Sequence, residues 1–271
     1  MLSADPIAWP LEAIWQAVEP SLPGFSCEVL PAVDSTNTEL MRRFKAGQTE
    51  PTLLVAEQQT AGRGRLGRQW HSQRGASLTF SLGLMLAPAD WSGLSLAVGI
   101  SLADSLDAAI APRHHIALKW PNDLWLVQNR TESKLAGILV ETGIFEGQRY
   151  AVIGVGVNVR AAGQTIEYAP QETSAIRPGY LQDLQPDADV TSTLLRVVQP
   201  LVQTVQAFAK FGFAPFQARF AQRDVLSGRD VTLSDGMQGK AHGVTATGAL
   251  LVHTACGMKA VTSSEVSVRP C

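Results

Sequence analysis

The run Gly62-Arg63-Gly64-Arg65-Leu66-Gly67-Arg68 holds the residue types best suited to chemistry in this chain. Its glycines let the backbone approach a ligand closely or adopt positive φ, and its guanidiniums, with Arg74 soon after, offer paired donors to an anion. No acidic side chain lies between Gln58 and Arg74. Phosphate or carboxylate binding is the chemistry this favours. From these residues alone, a flexible surface connection or an arginine–glycine segment against nucleic acid stands as an equal reading.

The flanking elements say how such a loop is carried. Leu53-Leu54-Val55-Ala56 and Leu78-Thr79-Phe80-Ser81-Leu82 are short and apolar, so the loop is slung between two strands. Upstream, Val33-Asp34-Ser35-Thr36-Asn37-Thr38-Glu39 reads as a helix start. Thr36 with Glu39 predicts a capping box, opening a helix through Leu40, Met41 and Phe44 that ends at Gly47. Capping and a polar ligand explain those residues equally well.

Trp9, Leu11, Ile14, Trp15 and Val18 predict a short amphipathic helix, and the apolar positions from Leu94 to Ile110 predict a longer one. Strand-like runs follow at 116–120, 124–127, 135–140 and 150–159, with turns at 121–123, 129–133 and 143–148. That succession predicts an antiparallel meander. Leu194, Val198, Leu201, Val205 and Phe208 predict another helix, kinked at Pro200. From about Val225 the texture changes to short strands, at 231–233, 241–244, 249–252 and 266–268, which predicts a small β-barrel of about 45 residues.

Composition narrows the function classes. A hydrophobic content of 45% and a charged content of 17% exclude a disordered chain, and a net charge of −2 disfavours general nucleic-acid binding. Cys27, Cys256 and Cys271 are odd in number and widely spaced, so neither a disulfide framework nor a zinc site is indicated. The histidines lack ligand spacing, and no metal site is expected. No apolar run approaches the ~20 residues that span a bilayer, and no charged-then-apolar leader opens the chain. A cytoplasmic protein without membrane contact is the expectation.

Four motifs stand in order: Asp34-Ser35-Thr36-Asn37, then Glu57 through Trp70, then Lys119-Trp120-Pro121-Asn122-Asp123, then Lys134-Leu135-Ala136-Gly137-Ile138-Leu139-Val140-Glu141. Gly154-Val155-Gly156-Val157-Asn158 and Ser264 to Arg269 complete the series. Over about residues 30–270 the chain resembles the biotin–protein ligases.

The resemblance implies an α+β fold, with a mixed-sheet catalytic domain and a C-terminal SH3-like β-barrel. Its divisions would be a short N-terminal segment at 1–29, a catalytic domain at 30–222 and the barrel at 223–271. It implies ATP-dependent biotin transfer through biotinyl-5′-AMP, with Mg2+, onto a lysine of the biotin carboxyl carrier protein of acetyl-CoA carboxylase. Only about 30 residues precede the motifs, so a monofunctional ligase without a DNA-binding domain is expected, and no DNA partner; a homodimer stays open.

By the same resemblance, Ser35, Thr36, Asn37 and Gln59 line the biotin head-group pocket, with the backbone at Gly137 and Leu139 completing it. Trp70 and Trp120 supply apolar walls. Gly62, Arg63, Gly64, Arg65 and Arg68 form the phosphate-binding loop. Lys134 and Arg65 hold the charges that the reaction brings together, while Asn122 and Asp123 orient the adenylate or a magnesium ion. Asn158 touches the nucleotide or caps a strand. Lipoate ligases and octanoyl transferases are the nearest rivals, but a hydrocarbon or dithiolane tail would leave the polar pocket residues without partners.

Overall fold

The structure is a computed structural model that describes residues 6–107, 115–128, 131–161, 177–262 and 268–270. In chain order, the first elements are α1 (Leu11–Val18), β1 (Ser26–Leu30), α2 (Thr36–Lys45), β2 (Thr52–Ala56), β3 (Ser77–Met85) and α3 (Leu94–Asp107). The meander β4 (Ile116–Lys119), β5 (Asp123–Gln128), β6 (Thr131–Phe145) and β7 (Gln148–Asn158) follows. Then come α4 (Val190–Phe211), α5 (Gln217–Ala221) and β8 (Asp230–Leu233), β9 (Gln238–Val244), β10 (Leu250–Thr254), β11 (Gly257–Val261) and β12 (Val268–Pro270).

Seven strands form one sheet in the order β1-β2-β3-β7-β6-β5-β4. Only β1 and β2 run parallel, so the sheet is mixed, as expected. Strand alternation gives it two unlike faces. Leu78, Phe80 and Leu82 of β3 and Ile153, Val155 and Val157 of β7 join α3 and α4 in the main core. The opposite face carries α2, whose Leu40 and Phe44 pack on Leu54, Tyr150 and Val152. The Phe44 and Tyr150 rings stack at 4.5 Å.

β8 to β12 make a second, antiparallel sheet in the order β11-β10-β9-β8-β12. It is tied to the first at β4. The chain at Arg223–Val225 runs beside that strand, with Leu118 N–H donating to Arg223 O (2.7 Å) and Val225 N–H to Leu118 O (3.1 Å). Arg223 is buried and ion-paired with Asp107 (2.7 Å) and Asp104 (2.9 Å). Trp120 is fully buried, and its Nε1 donates to Gly248 O (3.0 Å). Trp120 is therefore no pocket wall: its indole fastens the two sheets together.

Other expectations shift in detail. β6 runs to Phe145, and the turn after it is only Glu146-Gly147, both at positive φ. The expected turn at 129–133 shortens as well, since Thr131 already pairs with Gln128; residues 129 and 130 lie outside the described set. The helix expected around Leu194 to Phe208 is α4, longer than its apolar positions mark at 22 residues, with Pro200 inside it. β11 has no sequence signal because Met258, Lys259 and Ala260 are exposed and show no alternation. Ile110 and the stretch 263–267, on which parts of the helix and last-strand expectations fall, lie outside the described residues.

Candidate active site

The site lies on the α2 face of the sheet. Strand registers put Ala56, Thr79, Gly156, Gly137 and Asp123 in one row, and Leu54, Ser81, Gly154 and Leu139 in the next. Small and polar side chains at the centre of these rows leave room above the strands. The start of α2 and the Trp70 indole fill part of it. A Cβ on Gly154 would lie 2.1 Å from Asn37 Oδ1, and one on Gly156 would lie 2.3 Å from the Trp70 ring. That close approach is why β7 alternates valine with glycine.

Ser35, Thr36 and Asn37 are each only 3% exposed. Thr36 donates to Gln59 Oε1 from its backbone N–H (2.8 Å) and its hydroxyl (3.1 Å). Ser81, fully buried, lies 2.7 Å from Thr36 Oγ1 and 2.6 Å from Asn37 Oδ1. Asn37 Nδ2 donates to Leu139 O (3.2 Å) and Glu141 Oε2 (2.9 Å), which uses both of its amide hydrogens. The expected capping box is absent. Ser35 is the N-cap and makes no side-chain cap, the Thr36 hydroxyl serves Gln59, and Glu39 pairs with Arg42 and Arg43 instead.

The arginine loop leaves β2 along the entry to α2, with Thr60 N–H donating to Val33 O and Ala61 N–H to Asp34 O, both at 2.9 Å. It then folds back on itself. Trp70 N–H donates to Gly62 O (2.9 Å) and Gly64 N–H to Arg68 O (2.7 Å). Gly62 has no room for a side chain, since a Cβ there would meet Trp70 O at 2.2 Å. At the tip Leu66 takes φ 55° and is largely exposed, while Gly67 takes φ 72°. Arg63 reaches Glu141 Oε1 (3.0 Å) and Thr38 Oγ1 (3.3 Å). Burial lowers the pKa of the Arg65 guanidinium; Asp123 opposes that shift and Arg68, itself exposed, adds to it.

Lys134 owes its direction to an irregularity in β6. Trp125 pairs with Lys134 but Leu124 with Ala136, so Leu135 is an extra residue. The bulge turns the lysine onto the site face. Its Nζ lies 2.8 Å from Asp123 Oδ1 and 5.8 Å from the centre of the Trp70 ring. Two asparagines clip the backbone beneath it: Asn122 Nδ2 donates to Ile138 O (2.8 Å) and Asn158 Nδ2 to Lys134 O (3.1 Å). Trp70 Nε1 is buried without a hydrogen-bond partner among the described residues.

The structure thus gathers Ser35, Thr36, Asn37, Gln59, Gly62, Arg63, Arg65, Trp70, Asp123, Lys134, Gly137 and Leu139 on one sheet face. Asn122 and Asn158 support it from the backbone side, and Trp120 stands apart. Two residues were missed. Ser81 is a polar position in an otherwise apolar strand, a signal the alternation of Thr79 and Ser81 carries; Glu141 closes the Lys134 motif but has no local signature. Chemically, a neutral hydrogen-bonding pocket adjoins cationic side chains, and the Trp70 indole lies over Gly156 with Lys134 against its face. Among the described residues no group of three or more His, Cys, Asp or Glu could hold a metal ion. None of the described helices is long and apolar enough to cross a membrane.

Residues 29–158 match the Biotin/lipoate A/B protein ligase family, and residues 226–269 the Biotin protein ligase C terminal domain. The chain is 36% identical to the Bifunctional ligase/repressor BirA of Escherichia coli over 259 residues, 92% of this chain and 75% of that one. It is 37% identical over 178 residues to the Biotin--[acetyl-CoA-carboxylase] ligase of Mycobacterium tuberculosis, 64% of this chain and 62% of that one. The Aquifex aeolicus biotin protein ligase, solved in complex with biotin and ATP, superposes with a TM-score of 0.71 at 31% identity, over 90% of this chain and 99% of that one. The chain belongs to the biotin/lipoate A/B protein ligase family. Within it, the chain stands among the biotin protein ligases.

Proposed function

We propose that this chain attaches biotin to a lysine of the biotin carboxyl carrier protein of acetyl-CoA carboxylase, in an ATP-dependent reaction through biotinyl-5′-AMP. The carrying observation is the neutral pocket of Thr36, Gln59, Ser81 and Asn37 placed beside Lys134 and Arg65 on one sheet face. Biotin has those two ends: an uncharged ureido ring that both donates and accepts, and a carboxylate.

In the first step a carboxylate oxygen attacks the α-phosphorus of ATP, the α–β anhydride bond breaks, and pyrophosphate leaves. Both reactants are anionic, so the rate depends on cations fixed where charge accumulates. Lys134, held at 2.8 Å by Asp123 and backed by the Trp70 face, is aimed before substrate arrives. Arg65 is partly desolvated and meets phosphate without first shedding all of its water. In the second step the carrier lysine amine attacks the acyl carbonyl, the mixed anhydride breaks, and AMP leaves. Closure of the arginine loop over the site excludes water from that anhydride.

Magnesium fits this site as a companion of ATP. Mg2+ keeps several waters and takes phosphate oxygens with one or two carboxylates, and Asp123 is the carboxylate nearest the cations. When bound it neutralises charge on the departing pyrophosphate. In this reading the seven-stranded sheet with its helices, β1 at Ser26–Leu30 included, is the catalytic unit and 223–271 the β-unit, so the catalytic unit starts before residue 30; both work in the cytoplasm.

The test is ATP–pyrophosphate exchange with biotin, lipoate and octanoate in parallel. Exchange with biotin alone is expected. Exchange with lipoate would move the chain to the sister activity, and none with any acid would overturn the enzyme.

A further inference from the structure

A carboxylate at the mouth of a site for two anionic substrates needs a reason. Glu141 stands there, on the same face of β6 as Gly137 and Leu139, with its side chain 23% exposed. Its Oε2 accepts from Asn37 Nδ2 at 2.9 Å and its Oε1 accepts from Arg63 Nη2 at 3.0 Å. The other arm of Arg63 reaches Thr38 Oγ1, one residue beyond Asn37 on α2. A single carboxylate therefore joins the pocket to the arginine loop.

We propose that Glu141 is a positioning residue that couples occupancy of the polar pocket to closure of the arginine loop, an inference that rests on the biotin-ligase reading. Asn37 is the sensing side. Its two amide hydrogens are committed to Leu139 O and Glu141, and its Oδ1 meets Ser81. A head group that donates to Oδ1 polarises the amide and strengthens the Nδ2–H···Glu141 bond, because hydrogen bonds in series reinforce one another. A carboxylate fixed more firmly on one oxygen offers Arg63 a better-defined partner on the other. Arg63 is then the hinge pin of the loop, and the phosphate-facing charge falls to Arg65 and Arg68.

The test compares Glu141→Gln, Arg63→Met and the double variant in the full-length enzyme. The readouts are the rate at which preformed biotinyl-adenylate leaves the enzyme, the KM for biotin in pyrophosphate exchange, and tryptic cleavage within residues 63–68. Glu141→Gln puts an amide donor against one of two donors. It is expected to speed adenylate loss about tenfold and raise the biotin KM by a similar factor, the value of one charge-assisted hydrogen bond. Arg63→Met is expected to match the first effect and, because coupling between two sites is reciprocal, to raise the biotin KM too, by less than Glu141→Gln does, since the pocket keeps the Asn37–Glu141 bond. The double variant is expected to lose adenylate no faster than either single variant, because both cut one connection. Biotin should slow tryptic cleavage of the unmodified loop and leave that of Glu141→Gln unchanged.

Multiplying effects in the double variant, or a Glu141→Gln enzyme with normal retention, would overturn the proposal. Glu141→Asp keeps the charge and shortens the reach, so it covers the case of a misfolded Gln variant. An intermediate rate of adenylate loss is expected, and wild-type behaviour in all three readouts would overturn the coupling. Absence of biotin-dependent exchange in the unmodified enzyme would instead remove the biotin reading and this coupling with it.

Discussion

The two faces of the seven-stranded sheet are built from the same strands and do opposite work. On β7, Ile153, Val155 and Val157 are at most 3% exposed and pack among α3 and α4, while Gly154 and Gly156, their neighbours in sequence, face Asn37 and Trp70. On β3, Phe80 and Leu82 go to the core and Ser81 goes to the pocket. One face has spent its volume on close packing. The other has given up side chains so that a helix start, an indole and a ligand can come near the backbone. Stability and chemistry are separated here by one residue of strand register.

That division can be broken most forcefully at its charged edge. Lys134→Ala removes the aimed cation and is expected to lower biotin-dependent exchange by about 10²–10³-fold, with a melting temperature close to that of the parent. Gly154→Ala comes next. Its Cβ would collide with Asn37, so the biotin KM should rise by about tenfold or more, at a cost equal to one or two disrupted hydrogen bonds. A Gly154→Ala enzyme with an unchanged KM would mean that Asn37 has slack the structure does not show.

Val155→Ala, between the two glycines, sharpens the contrast from the other side. Denaturant unfolding should show a loss of about 2 kcal/mol from the emptied core volume, with kcat per folded molecule unchanged. A stability effect of similar size, with none on the chemistry, lies at the edge of the sheet, at Asp224 beside Leu118. Burial raises its carboxyl pKa to about 6, with the Leu226 N–H and Arg229 opposing. Between pH 4 and 6 the folded chain keeps a proton the unfolded chain has lost, so this group's contribution falls as pH rises through that window and is flat above it. Relative to Asp224→Asn, the unfolding free energy of the parent should drop by about 2 kcal/mol from pH 4 to pH 7. A flat difference would mean the carboxyl titrates normally.

Much of this architecture is legible in the sequence. The meander, the arginine loop between strands, and the glycines of 154–156 all carry local signals: turn residues, alternation, charge without counter-charge. What stayed hidden depends on register and on distant partners. Ser81 and Asn37 are 44 residues apart in sequence, Asn37 and Glu141 are 104 apart, and no local pattern pairs them. The direction of Lys134 depends on a bulge whose extra residue, Leu135, looks like any strand leucine. Thr36 and Glu39 fit a capping motif perfectly well by spacing, yet Gln59 and two arginines competed for them and won. Trp120 misled for a related reason. A tryptophan beside a functional motif suggests a wall, whereas its N–H was needed at Gly248.

The strip Arg223–Val225 alongside β4 has a consequence for anyone who would trim this protein to its catalytic half. β4 ends the seven-stranded sheet, and the strip occupies its outward backbone groups at Leu118. Cutting the chain before Arg223 would unmask a strand edge flanked by Ile116 and Leu118, and would take the buried Arg223 away from Asp107, leaving Asp104 with Arg219 alone. Bare edges invite pairing between molecules. The shortened protein would be a self-associating material before it was a smaller catalyst.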